Sequence, residues 1–114
     1  MLDQIETLLD TIKQDYYDWT VRCKKGEENF SDHNYKMIQE FNEGLTWKRG
    51  SKYVKIISNR SVWGFIVKTD NDKKFAKGDI LKAAGWNAPA RNAARGNILD
   101  GGYTVQWTGP LYLK

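Results

Sequence analysis

Residues 52–68 read KYVKIISNRSVWGFIVK, and this stretch decides the fold. Two runs rich in β-branched and aromatic residues, KYVKIIS (52–58) and SVWGFIVK (61–68), flank a short turn at Asn59-Arg60. That is the pattern of a β-hairpin. In the second run, regular alternation sets Trp63, Phe65 and Val67 on one face and Val62 and Ile66 on the other. A strand apolar on both faces is expected to lie centrally, covered from both sides. Gly64 in its middle predicts a bulge or a close approach by another backbone.

Upstream the period changes. Leu2, Ile5, Leu9, Ile12, Tyr16, Trp19 and Cys23 recur at steps of three and four, which keeps one stripe on one helical face. Asp3 suits the positive end of a helix dipole, and Arg22, Lys24 and Lys25 suit the negative end. Gly26 offers the left-handed stop. Ser31 or Asp32 then provides an N-cap for a second helix, with Tyr35, Ile38 and Phe41 on its inner face, Met37 near the edge and Gly44 at its end. The two helices are expected to form a hairpin over residues 1–44.

Downstream of the hairpin, TDNDKK (69–74) reads as a polar turn. Asp79 can cap a short helix, ILKAA (80–84), which Gly85 closes. A long loop fills 85–101 and ends in Asp100-Gly101-Gly102. YTVQWT (103–108) alternates, with Tyr103, Val105 and Trp107 on one face; Gly109-Pro110 turns the chain, and LYLK (111–114) finishes as an edge strand. The expectation is one α+β domain of 114 residues, a helical hairpin packed on a small, mostly antiparallel sheet.

Charge divides along the chain. Residues 1–46 carry ten acidic and five basic side chains, and residues 47–114 carry four acidic and thirteen basic, so a −5 part precedes a +9 part. Such a split points to an acidic partner for the second part, unless the two parts neutralise each other. Strand aromatics beside basic residues are also how single-strand binders stack bases. Lys52, Lys55, Lys82 and Trp107 are the nucleic-acid candidates on this ground.

The loop GWNAPARNAARGN (85–97) adds an indole, amides and two guanidiniums. In a structural account Trp86 plugs the core, Pro89 stiffens the turn, and Asn87, Asn92 and Asn97 bond the loop's backbone. In a functional account Arg91 and Arg95 present guanidinium forks to a phosphate or carboxylate, and the asparagines read a polar partner. Trp86, Asn87, Arg91, Asn92, Arg95 and Asn97 are therefore the ligand-binding candidates.

Catalytic signatures are missing from the residues: there is no phosphate loop, GxGxxG, HExxH, CxxC or GxSxG. Asp70, Asp72, Asp79 and Asp100 all fall at turn or cap signals, which reads as structural. One histidine, His33, and one cysteine, Cys23, cannot make up a metal site of three or four ligands. Cys23 is expected to be a buried, inert thiol on the helical stripe. No run approaches the roughly 20 apolar residues of a membrane span, and MLDQIETLLD does not read as a signal peptide. The reading leans away from an enzyme and expects no cofactor or metal.

YVKIIS, SVWGFIV, KFAKGDILKAAGWNAPARNAARGNI and WTGPLYLK together resemble small proteins of tailed bacteriophages, notably those infecting marine cyanobacteria, over about residues 45–114. The resemblance brings no activity and no site residues with it. It implies a phage protein acting in the host bacterial cytoplasm, or one carried in the virion. The leading expectation is a non-enzymatic accessory protein binding nucleic acid. The alternatives are a protein-binding module that blocks a host factor or sits in the particle, and a sponge for a nucleotide-like molecule. Helix one could also pair with its own copy in a homo-oligomer.

Overall fold

The computed structural model describes residues 2–59, 61–91, 93–101 and 103–110. Helix α1 spans Leu2–Lys24, a single 3-10 turn covers Glu27–Asn29, and helix α2 spans Asp32–Gly44. Strands follow at Leu45–Arg49 (β1), Tyr53–Ser58 (β2), Ser61–Val67 (β3) and Ile80–Leu81 (β4), then Val105–Gln106 (β5) and Gly109–Pro110 (β6). β1 to β4 form one antiparallel sheet in sequence order, and β5 and β6 form a separate two-stranded ribbon. The fold is α+β, as the residue pattern predicts.

The helix ends follow local chemistry. Lys25 takes the left-handed conformation (φ 60) and Gly26 also has positive φ (126). The Gly26 amide donates to the Val21 carbonyl at 3.0 Å, which closes α1 with a six-to-one bond. α2 opens on a reciprocal cap: the Asn34 amide donates to Ser31 Oγ at 3.4 Å and the Ser31 amide donates to Asn34 Oδ1 at 2.9 Å. α2 then runs into β1 without a connecting loop, a strand the residue pattern did not reveal. The Asn59 amide, in a left-handed turn residue (φ 55), donates to the Gly44 carbonyl and pins the β2–β3 turn to that junction.

β3 is central, as expected, but its faces are not those of simple alternation. Ile56 pairs with Gly64 and Ile57 with Val62, so Trp63 is the extra residue of a bulge. One extra residue reverses the phase of everything before it. Trp63 therefore joins Ile66 in the core under the helices, while Phe65, Val67 and Leu81 lie on the opposite face with Val62 packed against them. Gly64 also meets the expected close approach: a Cβ there would stand 2.9 Å from the Leu81 carbonyl oxygen and 3.1 Å from Pro110 Cγ.

The larger core joins Ile5, Leu8, Leu9, Ile12 and Tyr16 of α1 to Phe41, Val54, Ile56, Trp63, Ile66 and Ile80. Each such side chain contributes about 1.5–3 kcal/mol through burial. The stripe of α1 is shorter than its periodicity. Buried positions run from Ile5 to Thr20 and skip Trp19, which is exposed, as are Leu2 and Cys23 beyond the two ends of the stripe. On α2 only Phe41 is fully buried; Tyr35, expected on the inner face, is half exposed, and Met37 is exposed.

ILKAA is not a helix. Ile80 and Leu81 pair with Ile66 and Phe65, and they bury on opposite faces of the sheet. A five-residue segment gains little from helical bonds, since nucleation alone fixes three residues for one bond. Pairing with a preformed strand offers more. The closing ribbon is also shorter than YTVQWT implies: Trp107 and Thr108 make the turn and Gly109-Pro110 is a strand, not the turn. The segment 111–114, along with Arg60 and Gly102 of two expected turns, lies outside the described residues.

Candidate functional site

The loop at 85–97 is ordered by edge pairing with β4. The Ala90 amide donates to the Lys82 carbonyl (2.7 Å), the Arg95 amide to the Ile80 carbonyl (2.8 Å), and the Ile80 amide to the Gly96 carbonyl (2.8 Å). These bonds occupy the outer edge of β4 and pair part of the loop's own backbone. At the loop's tip the amides of Ala84 and Gly85 both donate to the Ala88 carbonyl, and Ala83 bridges Pro89. Trp86 and Asn87 sit on that tight tip and are carried outward.

The helix-free face of the sheet receives this loop. There Lys55, on β2 opposite Phe65, donates from Nζ to Asn87 Oδ1 at 2.9 Å and lies 4.7 Å from the centre of the Trp86 ring. Trp86 keeps 52% of its surface open, so it does not plug the core. Lys48, Arg49, Lys52 and Lys55 join Tyr53, Phe65, Trp86 and Asn87 around a cleft of about 480 Å³. Four cations thus share a recess with an exposed indole and a phenol ring.

Two further grooves adjoin it. One, of about 440 Å³, shares Lys52 and Tyr53 with the cleft and adds Asp72, Lys73 and Arg91. The other, of about 220 Å³, shares Arg49 and adds Lys68 and Lys77 over an apolar bed of Leu2, Ile5, Trp47 and Val54. Asp72 is the one carboxylate lining the three.

That carboxylate is neutralised internally. Arg91 holds Asp72 bidentately, NH1 to Oδ2 at 3.0 Å and NH2 to Oδ1 at 2.8 Å, and NH1 also donates to the Tyr53 hydroxyl. Asp72 Oδ1 accepts the Lys74 and Phe75 amides as well. The Arg91 fork, reinforced by those amides, holds the Asp72 carboxyl well below the usual carboxylate range. The Asp72 hydrogen bond raises the Arg91 guanidinium further above its ordinary value. Arg91 is thus a clamp between the 69–76 turn and the loop, stacked 5.0 Å from Phe75, and its fork is already committed.

The other candidates divide. Asn97 is structural: its Nδ2 donates to the Lys77 carbonyl and to Asp79 Oδ1, and its Oδ1 accepts the Leu99 and Asp100 amides. Asp79, expected to cap a helix, caps the Ala76 amide instead at 2.9 Å. Arg95 is half-buried and donates from Nε to the Ala93 carbonyl at 3.3 Å. Lys82 lines a small groove beside Trp63 and Pro110, away from the cleft. Asn92 lies outside the described residues.

Trp107 belongs to the helix side and must be removed from the candidate surface. Its ring stands edge-on to Tyr16 (5.0 Å, 87°) and Phe41 (6.0 Å, 89°), and its amide donates to Asp15 Oδ2 at 2.8 Å. The alternation of YTVQWT did place Tyr103, Val105 and Trp107 together, but against α1 rather than facing a partner. Of the candidates, Lys52, Lys55, Trp86 and Asn87 are the ones brought into one recess. Lys48, Arg49, Ser51 and Tyr53 complete it and were missed, although three cations around the Gly50-Ser51 turn were the available signal.

Among the described residues no three His, Cys, Asp or Glu side chains are grouped to hold a metal, and no helix is long and apolar enough to cross a membrane. A family model matches residues 1–113. The chain belongs to DUF7717, a family of unknown function. The match takes in both helices, the sheet and the cationic cleft, so the site described here lies within the family's own extent. No curated protein and no solved structure matches the chain.

Proposed function

We propose that this chain is a small, non-enzymatic phage accessory protein that binds nucleic acid through the cleft at the β1–β2 turn. The observation that carries the reading is the run of three adjoining grooves. They present Lys48, Arg49, Lys52, Lys55, Lys68, Lys73 and Lys77, and their one carboxylate is already paired with Arg91. Lys48, Lys52, Lys55 and Lys73 line the cleft and the Asp72 groove, and Arg49 links them to Lys68 and Lys77 beside the first turn of α1, a continuous positive field that draws a polyanion. The resemblance to tailed-phage proteins supports a place in the host bacterial cytoplasm, or in the virion.

Binding of this kind weakens steeply with salt, because each neutralised phosphate releases condensed counterions. Fluorescence anisotropy with labelled single- and double-stranded probes at ~50 mM salt tests it. The expected result is binding whose logarithm falls linearly with the logarithm of salt, with the double substitution Lys52→Glu and Lys55→Glu abolishing it. If neither probe binds at low salt, the reading is wrong. The cleft volume also falls in the range of small-ligand sites, about 300–1,000 Å³. A nucleotide that raises the melting temperature while polymers do not would favour the small-molecule reading.

A further inference from the structure

Resting on that reading, we infer that the preferred strand is single and that one unstacked base lies on the open face of the Trp86 indole. A large apolar ring held at 52% exposure has foregone burial, and here it is presented rather than loose. Two hydrogen bonds from the Ala84 and Gly85 amides to the Ala88 carbonyl close the loop tip, and Lys55 fixes one side of the ring at 4.7 Å. Trp86 lines the cleft together with the rings of Tyr53 and Phe65. Base stacking needs such a platform, and every base has a π-face to offer it.

Intact duplex offers no such face, because its bases are stacked and paired inside. Groove readers usually insert a helix or a β-ribbon into duplex DNA. In this fold the helices pack on the sheet face opposite the cleft, and the helical part carries ten acidic against five basic side chains, which disfavours a helix entering a groove between phosphates. The cleft instead is recessed and shares lining residues with two grooves, one adding Lys73 and the other adding Lys68 beside Leu2 and Ile5 of α1, which suits a flexible backbone bending past Lys68, Arg49, Lys52 and Lys73. Asn87 supplies a polar contact beside the platform. Its Oδ1 is taken by Lys55, and its Nδ2 has no hydrogen-bond partner among the described residues, which leaves a donor for a base carbonyl. Such a site reads the presence of an unpaired base and is tolerant of its identity.

The test uses the full chain with a labelled thymidine oligonucleotide of about 20 nucleotides, compared with the same length as duplex. Single strand is expected to bind at least about tenfold tighter at matched salt. Trp86→Ala should weaken the single strand by about 5- to 150-fold, the loss of one stacked base, with the salt slope unchanged. Trp86→Phe should recover most of that loss, and duplex affinity should not respond. Binding should quench tryptophan fluorescence in the wild type and not in Trp86→Phe. Equal affinity for duplex, or a Trp86→Ala variant that binds the single strand like wild type, overturns this inference and leaves the broader polyanion reading standing. Absence of binding to either probe overturns both.

Discussion

Substituting Gly64 by alanine isolates the contact on which the sheet's two-faced arrangement depends. A methyl group there would lie 2.9 Å from the backbone oxygen of Leu81 and 3.1 Å from Pro110 Cγ. The first neighbour is main chain and cannot rotate away. β3 and β4 must separate by a few tenths of an ångström where Phe65 pairs with Leu81, and the ribbon bearing Pro110 must shift too. Overpacking of this kind costs about 1–3 kcal/mol. Each kcal/mol moves the melting temperature of a domain this size by about 4 °C, so a fall of about 4–12 °C is expected. Thermal unfolding followed by far-ultraviolet circular dichroism measures it. Gly85→Ala is the matched control: nothing lies within 4 Å of its added Cβ, and its φ is not in the left-handed region. It should melt with the wild type or up to about 1 kcal/mol higher, since alanine restricts the unfolded chain. If Gly64→Ala melts like wild type, or Gly85→Ala falls equally far, the close packing of β3 against β4 and the ribbon is refuted.

Further outcomes follow from particular side chains. Asp72 has a depressed folded-state pKa, so its stabilising effect is present above the unfolded carboxylate value near ~4 and is lost as the medium acidifies below it. Asp72→Asn should therefore lower stability at neutral pH, and its deficit against wild type should shrink below about pH 4 in parallel urea titrations. Trp63→Ala should cost about 3–5 kcal/mol, because it empties a buried bulge position and leaves the Gln106 carbonyl without the indole donor at 2.8 Å. Cys23 is exposed, so a thiol reagent should label the native protein fully without denaturant; slow labelling would place it back on a buried stripe.

How much of this was legible beforehand differs by element. The capping signals around Ser31 act within one turn of chain, and they held; the left-handed stop expected at Gly26 falls one residue earlier, on Lys25. The site was only partly legible. The Arg91–Asp72 clamp spans nineteen residues, and the Lys55–Asn87 contact spans thirty-two, so neither has a local signature. The stripe of α1 predicted its core face, but where burial ends depends on what packs beneath it, and at Tyr16 that is Phe41 of α2 and Trp107 of the closing ribbon. Periodicity measures which face can be buried and is silent on the length of the partner.

The amino-acid order by itself determined the two helices, the β2–β3 hairpin, the centrality of β3 and the charge imbalance, because period, capping and turn chemistry are short-range properties. Tertiary structure alone decided the rest: that ILKAA pairs as strand, that the Trp63 bulge exchanges two faces, that Trp107 faces α1, and that Lys48, Arg49, Lys52 and Lys55 meet Trp86 in one cleft. Each of those outcomes rests on contacts between distant segments. Their free energy exists only once both surfaces are in place, so no window of local sequence contains it.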